Sequence, residues 1–359
     1  MWDLAVREED YKAVDGMIAR FSEAPLSFRI VPAYARHDTA AMARIHEQLK
    51  NLDARQSQIS GRYMATYLEN FTAAEDLARL DLQARRNAAI RLTAQTFLAW
   101  LEVARGRWTS AKDAFAEAEQ MEGGSAVQID RAIAAMLPFL EVPRADLEGV
   151  RRDIEAWQPN AEPPTGNSNL ASALRPQLRL YLLGLLSSRL GDDESALRYA
   201  RELEALSPPA GGRRVVQALA GTVRADVALR AGNGAEALAQ LQPANGEVPL
   251  ELVTVRPFVN VREYSQEHSR WLRANALVML GRNDEARRWF ETSFQGSPLE
   301  FVYRAPVYAR LARMEDIRGD RKHAIDHYTR FIKLWRASDP PLQTHIKAAE
   351  SALRRLRSR

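Results

Sequence analysis

Leu280–Phe290 reads LGRNDEARRWF, and the order of these residues decides the fold. Gly281 opens a polar turn, Ala286 comes five residues later, and Phe290 follows four further on. A glycine at this point ends a helix in the left-handed conformation that residues with a Cβ avoid. The alanine lets two helices approach closely, and the aromatic ring fills the space toward the next pair. The same spacing recurs at Gly106, Ala111, Phe115 and at Gly319, Ala324, Tyr328, with weaker copies at Gly191, Ala196, Ala200 and Gly232, Ala237, Leu241. A phrase that returns in this way is one helical hairpin, which buries its apolar face only by stacking on a neighbouring copy.

Around these copies, apolar residues recur at the helical period along almost the whole chain, and no sustained alternation marks a strand. Short turns at His37-Asp38, Pro143 and Asp339-Pro340-Pro341 punctuate the helices. Asn160–Asn169 reads as a loop or linker, Ser207–Arg214 as a second loop, and the Val- and Pro-rich stretch Glu247–Val261 as an irregular insert. The expected organisation is therefore degenerate helical repeats over 1–159, a linker over 160–169, and clearer repeats over 170–359. The last of these end in a capping helix over 341–357, where Leu342, Ile346, Ala349, Leu353 and Leu356 form one apolar stripe. Arg354, Arg355, Arg357 and Arg359 lie off that stripe or at the helix end, where cations suit the dipole.

Composition narrows the chemistry. The 359 residues include no cysteine, which excludes disulfides, thiolate metal sites and cysteine nucleophiles. Only six of the 50 basic residues are lysines, a bias that points to a GC-rich bacterial genome. The 46 acidic residues nearly balance that charge, leaving a net +4 that argues against a polyanion-binding face. The longest apolar run, Leu178–Leu190, is interrupted by Arg179 and Arg189 and is too short to span a bilayer. Near the start, Arg7, Glu8, Glu9 and Asp10 break any apolar leader, so a cytoplasmic location is expected, or an extracytoplasmic one if a membrane span precedes the chain. Trp2, Leu4, Ala5, Tyr11, Val14 and Ile18 already read as helix, as in a chain that begins inside a longer array.

The recurring phrase resembles the second half of the tetratricopeptide repeat, with Pro208 and Pro298 at the expected repeat ends and Leu183-Gly184 fitting the first-helix half. The anchor glycines lie 85, 41, 49 and 38 residues apart, so the units are unequal. Ala126–Leu140 and Arg144–Trp157 supply the hairpin missing from the widest gap. The resemblance implies an all-α, right-handed α-solenoid of stacked antiparallel hairpins. Over about 265–356, Trp271-Leu272-Arg273-Ala274, LGRNDEARRWF, Val302-Tyr303, HYTRFIKLW (His327–Trp335) and SDPPLQ (Ser338–Gln343) resemble the C-terminal repeat region of bacterial eukaryotic-like serine/threonine kinases and related multidomain regulators. No kinase glycine loop, HRD or DFG is present, so the likeness implies a repeat module and no kinase activity.

Few residues suggest a chemical centre. His323 and His327 stand one turn apart on a helix, a spacing zinc sites use, but the glutamate of HExxH is missing. His46-Glu47 fails as the same motif because Lys50 stands where the second histidine belongs. No GxSxG occurs, Ser187-Ser188 lies in an apolar helix, and Gly232-Asn233-Gly234 lacks the strand and lysine of a phosphate loop. Acidic runs such as Asp192-Asp193-Glu194 sit at helix starts, where they favour the dipole. No cofactor and no metal is expected.

What remains is surface. In tetratricopeptide arrays the first helices of successive hairpins line a concave groove that takes a protein or peptide. Here the corresponding positions are Trp100, Tyr181, Arg189, Asp226, Arg230, Trp271, Asn275, Arg310 and Arg313. Aromatics and arginines are the usual binding hot spots, although Trp100 and Trp271 serve a core equally well. Asn275 matches the asparagine of carboxylate clamps, but the accompanying lysines are missing. The expected function is a non-catalytic scaffold for a protein or peptide, serving a bacterial signalling system. A nucleic-acid-binding regulator using the arginines and a metal-dependent enzyme are the alternatives.

Overall fold

The computed structural model of the chain describes residues 5–6, 10–21, 25–51, 54–83, 86–159, 170–242, 267–293 and 300–358. Trp2 and Leu4, the linker over 160–169, the insert over 247–261 and Pro298 lie outside the described residues. Among the described residues every regular element is helical. Contacts divide the chain into two compact units, Met1–Glu102 with Ser110–Ser125, and Val103–Thr109 with Ala126–Arg359.

The first unit contains α1 (Tyr11–Ile18), α2 (Leu26–Ala35), α3 (Thr39–Asn51), α4 (Ala54–Tyr67), α5 (Phe71–Asp81), most of α6 (Ala88–Ala104) and most of α7 (Trp108–Glu119). Helix α4 packs on α2 and pairs with α5. In the α6–α7 hairpin, Trp100 meets Phe115 edge to face at 5.7 Å between ring centres. Gln95 Nε2 donates to Glu117 Oε2 at 2.7 Å between the same two helices.

The second unit begins with the 103–109 turn and continues through α8 (Val127–Met136), α9 (Arg144–Ala156), α10 (Arg175–Leu190), α11 (Asp193–Ala205), α12 (Arg213–Arg230) and α13 (Gly234–Gln240). It ends with α14 (Glu267–Met279), α15 (Asn283–Thr292), α16 (Arg304–Arg318), α17 (Arg321–Trp335) and α18 (Gln343–Arg357). Each helix pairs with its successor, and among the first helices α10 also packs on α12 and α12 on α14. These are stacked antiparallel hairpins, a tetratricopeptide-like solenoid. Because α9 and α8 both pack on α10, residues 126–159 share a unit with 170–359. The division between units thus falls upstream of the 160–169 stretch that the sequence suggested.

The repeating phrase does what its spacing predicts. Gly106, Gly191, Gly232, Gly281 and Gly319 all have φ between 70° and 80°. At Gly191 the reversal is closed by Gly191 N–H donating to Ser188 O and Asp192 N–H to Ser187 O, each at 2.9 Å. Asp192, Asn233 and Asp320 then cap the following helices by accepting from the amides of Ser195, Glu236 and His323. Ala111, Ala196, Ala237, Ala286, Ala324 and Phe115 are completely buried, and Phe290 nearly so. Gly221 adds a close approach that no spacing rule announces, since a Cβ there would stand 2.4 Å from the Gln240 carbonyl oxygen.

The stripe on α18 is buried as expected at Ile346, Ala349 and Leu356, with Leu342 buried in the turn before it. Ahead of this helix, the chain returns to the start of the second unit. Trp335 Nε1 donates to Ala104 O and Asp339 N–H donates to Gly106 O, both at 3.0 Å. Asp339 Oδ2 accepts from Thr109 N at 3.0 Å. Where Asp192 or Asp320 supplies a cap, the residue after Gly106 is Arg107, so Asp339 serves the first turn of α7 from a distant part of the sequence.

Candidate functional site

Between α8 and α9 the chain leaves helical conformation. Leu137 is extended, with φ −58° and ψ 123°, and Leu140 N–H donates to Leu137 O at 3.3 Å, closing a turn with Pro138 and Phe139 at its centre. Proline presets φ at the second position of such a turn. Leu137 and Leu140 are buried and anchor it, while Phe139 stands at its tip, half-buried.

Phe139 is received by aromatic rings from three later elements. Its ring centre lies 5.5 Å from Trp271 on α14, 5.1 Å from Tyr303 just before α16, and 6.4 Å from Trp335 on α17. The first two contacts are edge to face, an arrangement in which ring edge and ring face attract. The Arg310 guanidinium lies 5.9 Å from the Trp271 ring centre. From α10, Arg189 Nη2 donates to Leu140 O at 2.7 Å, so a guanidinium reads the turn's main chain while the box holds its side chain. Burial pulls the Arg189 guanidinium below its ordinary value, and the charges of Asp226 and Glu141 oppose that pull.

A buried polar group adjoins Arg189. Asp226 Oδ2 accepts from Ser188 Oγ at 2.5 Å, and its Oδ1 lies 3.7 Å from His268 Nε2. Burial would raise the Asp226 carboxyl, but His268 and Ser188 more than offset it and hold the group below the usual carboxylate value. The serine bonds to the carboxylate and not to the imidazole. This order ties α10, α12 and α14 together.

The nine groove positions read from the sequence separate into three sets. Trp100, Tyr181, Trp271 and Asp226 are buried, at 2%, 1%, 6% and 4% exposure, and present no free face. For these four the surface expectation is corrected: Trp100 packs on Phe115, Tyr181 lies within the α10 core, and Trp271 and Asp226 serve the clusters just described. Arg189 and Asn275 are half-buried, and the Asn275 side-chain amide donates back to Trp271 O at 2.8 Å. Arg230, Arg310 and Arg313 are exposed.

Periodicity had not indicated Phe139, Tyr303 or Trp335 as a group. Their convergence depends on a turn lying far from its partners in sequence, and the only local signal was Pro138-Phe139 between two helical patterns. The histidine pair is also separated by its surroundings. His323 Nδ1 lies 2.7 Å from Asp320 Oδ2 at the helix start, whereas His327 stacks on Tyr308 with 5.7 Å between ring centres. Among the described residues no three metal-binding side chains come together.

In the first unit, an open cleft of about 310 Å³ is lined by Glu75, Arg79, Gln95, Leu98, Ala114, Glu102 and Glu117. Arg79 is held by Glu75 at 2.7 Å, and Glu117 accepts from Gln95.

Many arginines that the sequence reading assigned to genome bias bond the carbonyls left over at helix ends. Arg179 Nε donates to Ile154 O at 3.1 Å, Arg144 Nη1 to Leu190 O at 3.2 Å, and Arg273 Nη2 to Leu241 O at 2.5 Å. Each joins a different helix to the end of another, where cations suit both the free carbonyls and the dipole. On the last helix, Arg355 pairs with Asp316 of α16.

Neither a protein-family model nor a curated protein matches the sequence. Among solved structures, the chain is similar to a tetratricopeptide repeat protein from Parabacteroides merdae ATCC 43184, at 14% identity and TM-score 0.37, over 83% of this chain and 99% of that one. It is also similar to the TPR domain of P58(IPK), at 13% identity and TM-score 0.29, over 99% of each chain. The tetratricopeptide-like assignment rests on the glycine turns, the buried alanines and the stacked hairpins rather than on these superpositions. Among the described residues no helix is long and apolar enough to cross a membrane.

Proposed function

We propose that this chain is a non-catalytic scaffold that binds a protein or peptide along the first helices of its second unit, as part of a bacterial signalling system. The observation that supports the reading is a set of exposed arginines on first helices, with a largely buried aromatic cluster on the helix between them in sequence. Exposed Arg230, Arg310 and Arg313 stand on α12 and α16, and Trp271 on the intervening α14 belongs to an aromatic cluster. Arginine and aromatic residues dominate binding energy at protein interfaces, and a cationic rim selects an acidic partner and speeds its approach. The likeness of 265–356 to the repeats of bacterial kinases supports the signalling role.

The test is selection of a displayed peptide library on the full chain, followed by affinity measurements on the recovered peptides. Acidic, aromatic-containing peptides are expected, and Arg230→Glu with Arg313→Glu should weaken them by about tenfold or more while helix content stays unchanged. Recovery of no binding peptide, or binding indifferent to both charge reversals, would refute the reading.

A further inference from the structure

We propose that the Leu137–Val142 turn is a built-in occupant of the partner-binding face, and that the partner it stands in for is a segment presenting an aromatic side chain, an aliphatic one and an acid in succession. This rests on the scaffold reading above and makes it specific.

Four features of the turn carry the inference. It is the non-helical connection of the α8–α9 hairpin, and its contacts reach well beyond that hairpin. Its tip residue, Phe139, inserts among Trp271, Tyr303 and Trp335, which come from three elements at least 130 residues later in the chain. Its main chain is read by a side chain of a first helix, Arg189 Nη2 to Leu140 O. Its next residue, Glu141, is exposed and close enough to Arg189 to act on its charge, with Arg230 beside the same group. Side-chain pocket, carbonyl recognition and charge complement are the parts with which a groove holds an extended peptide. Here they are all satisfied from within the chain. Phe139 itself remains half-buried, so the box grips the ring without sealing it.

Such an occupant lowers the affinity of any competing ligand by the fraction of time the face is free. Removing its tip ring should raise that affinity without altering the residues of the box. The probe is a labelled peptide with the sequence of residues 135–146, AMLPFLEVPRAD, added to the full chain and followed by fluorescence anisotropy. Phe139→Ala is expected to bind it at least about tenfold more tightly than the unchanged protein. Arg189→Ala in the Phe139→Ala background should then weaken binding by about tenfold, as for a lost hydrogen bond to a charged group. A peptide with alanine in place of its phenylalanine should not bind.

Equal binding by the unchanged protein and Phe139→Ala would overturn the proposal, as would no binding to a Phe139→Ala chain that melts cooperatively. If the alanine variant does not melt cooperatively, Phe139→Leu, which keeps apolar volume, takes its place under the same criteria. Should library peptides bind through Arg230 and Arg313 with no dependence on residue 139, the scaffold reading stands and the built-in occupant falls. Failure of the charge reversals alone would leave the opposite result.

Discussion

The turn that ends α2 and the turn that ends α16 make the same two backbone hydrogen bonds with different residues. In the second unit, Gly319 N–H donates to Asp316 O at 3.2 Å and Asp320 N–H to Glu315 O at 2.9 Å, and Asp320 caps the next helix. In the first unit, His37 N–H donates to Tyr34 O at 3.1 Å and Asp38 N–H to Ala33 O at 2.9 Å, and Asp38 Oδ1 accepts from Ala41 N. His37 has φ 56° where Gly319 has φ 80°. Glu69, with φ 51°, plays a similar part before Asn70, which accepts from the Ala73 amide. At these reversals the Asx cap is present in both units, while a residue with a Cβ stands in the first where glycine stands in the second. A left-handed residue with a Cβ costs about 1–2 kcal/mol, so the first unit builds the same reversal at lower stability. The surfaces differ as well, with glutamates lining the cleft of the first unit and arginines rimming the first helices of the second.

The largest test of this comparison is Phe290→Ala. The ring is 1% exposed and touches Trp271, so its loss should cost about 3–5 kcal/mol. Hydrogen exchange resolved along the chain should accelerate across α14–α17 and leave α2–α5 unchanged. Equal acceleration in α2–α5 would mean that the two units share one stability. Exchanging the turn residues comes next. Gly319→Ala should destabilise by about 1 kcal/mol, and His37→Gly should leave stability unchanged or raise it by a similar amount, as read by denaturant midpoints. Loss on His37→Gly would show that the histidine side chain contributes more than its backbone costs.

Asp339→Ala removes the cap at Thr109 and should cost about 1 kcal/mol. Faster exchange at the Thr109 amide is the local sign, and an unchanged rate would rule out the capping role. The smallest effect is one of pH. Burial lowers the His46 imidazole in the first unit and the His327 imidazole in the second below the ordinary value of 6.5. Above that value both folded and unfolded chains carry these rings uncharged. As pH falls from about 7 to 5, the unfolded chain takes up the protons first, so folding stability declines. His46→Gln and His327→Gln should each flatten that decline, and an unaltered slope in urea titrations would place its origin elsewhere.

The fold was legible because each part of the repeating phrase has a local cause. Gly281 must reverse the chain, Ala286 must be small, and Phe290 must fill space, and these requirements survive unequal spacing. The His37 turn was also visible as His37-Asp38, although without a glycine it shares no spacing with the others. The binding face was only partly legible. Counting from the glycines found exposed Arg230, Arg310 and Arg313, but Trp271 and Asp226 occupy equivalent positions and are buried. What distinguishes them is the Leu137–Val142 turn and the polar cluster with Ser188 and His268. These contacts bring together residues tens to more than a hundred positions apart, which no local pattern records. The arginines misled for the same reason, since composition cannot reveal that Arg179 or Arg273 meets the end of another helix.

The cap on α7 also sets an order of events. Thr109 leaves the ribosome 230 residues before Asp339, the carboxylate that accepts its amide proton. At about 5–20 residues per second, that interval is roughly 10–50 s, far longer than a helix or hairpin needs to form. During synthesis the start of α7 is therefore held without its acceptor, and Ala104 and Gly106 without Trp335 and Asp339. The second unit acquires these contacts only when the last hairpin emerges, so a chain cut short before residue 335 lacks every group that meets Ala104, Gly106 and Thr109 in this way.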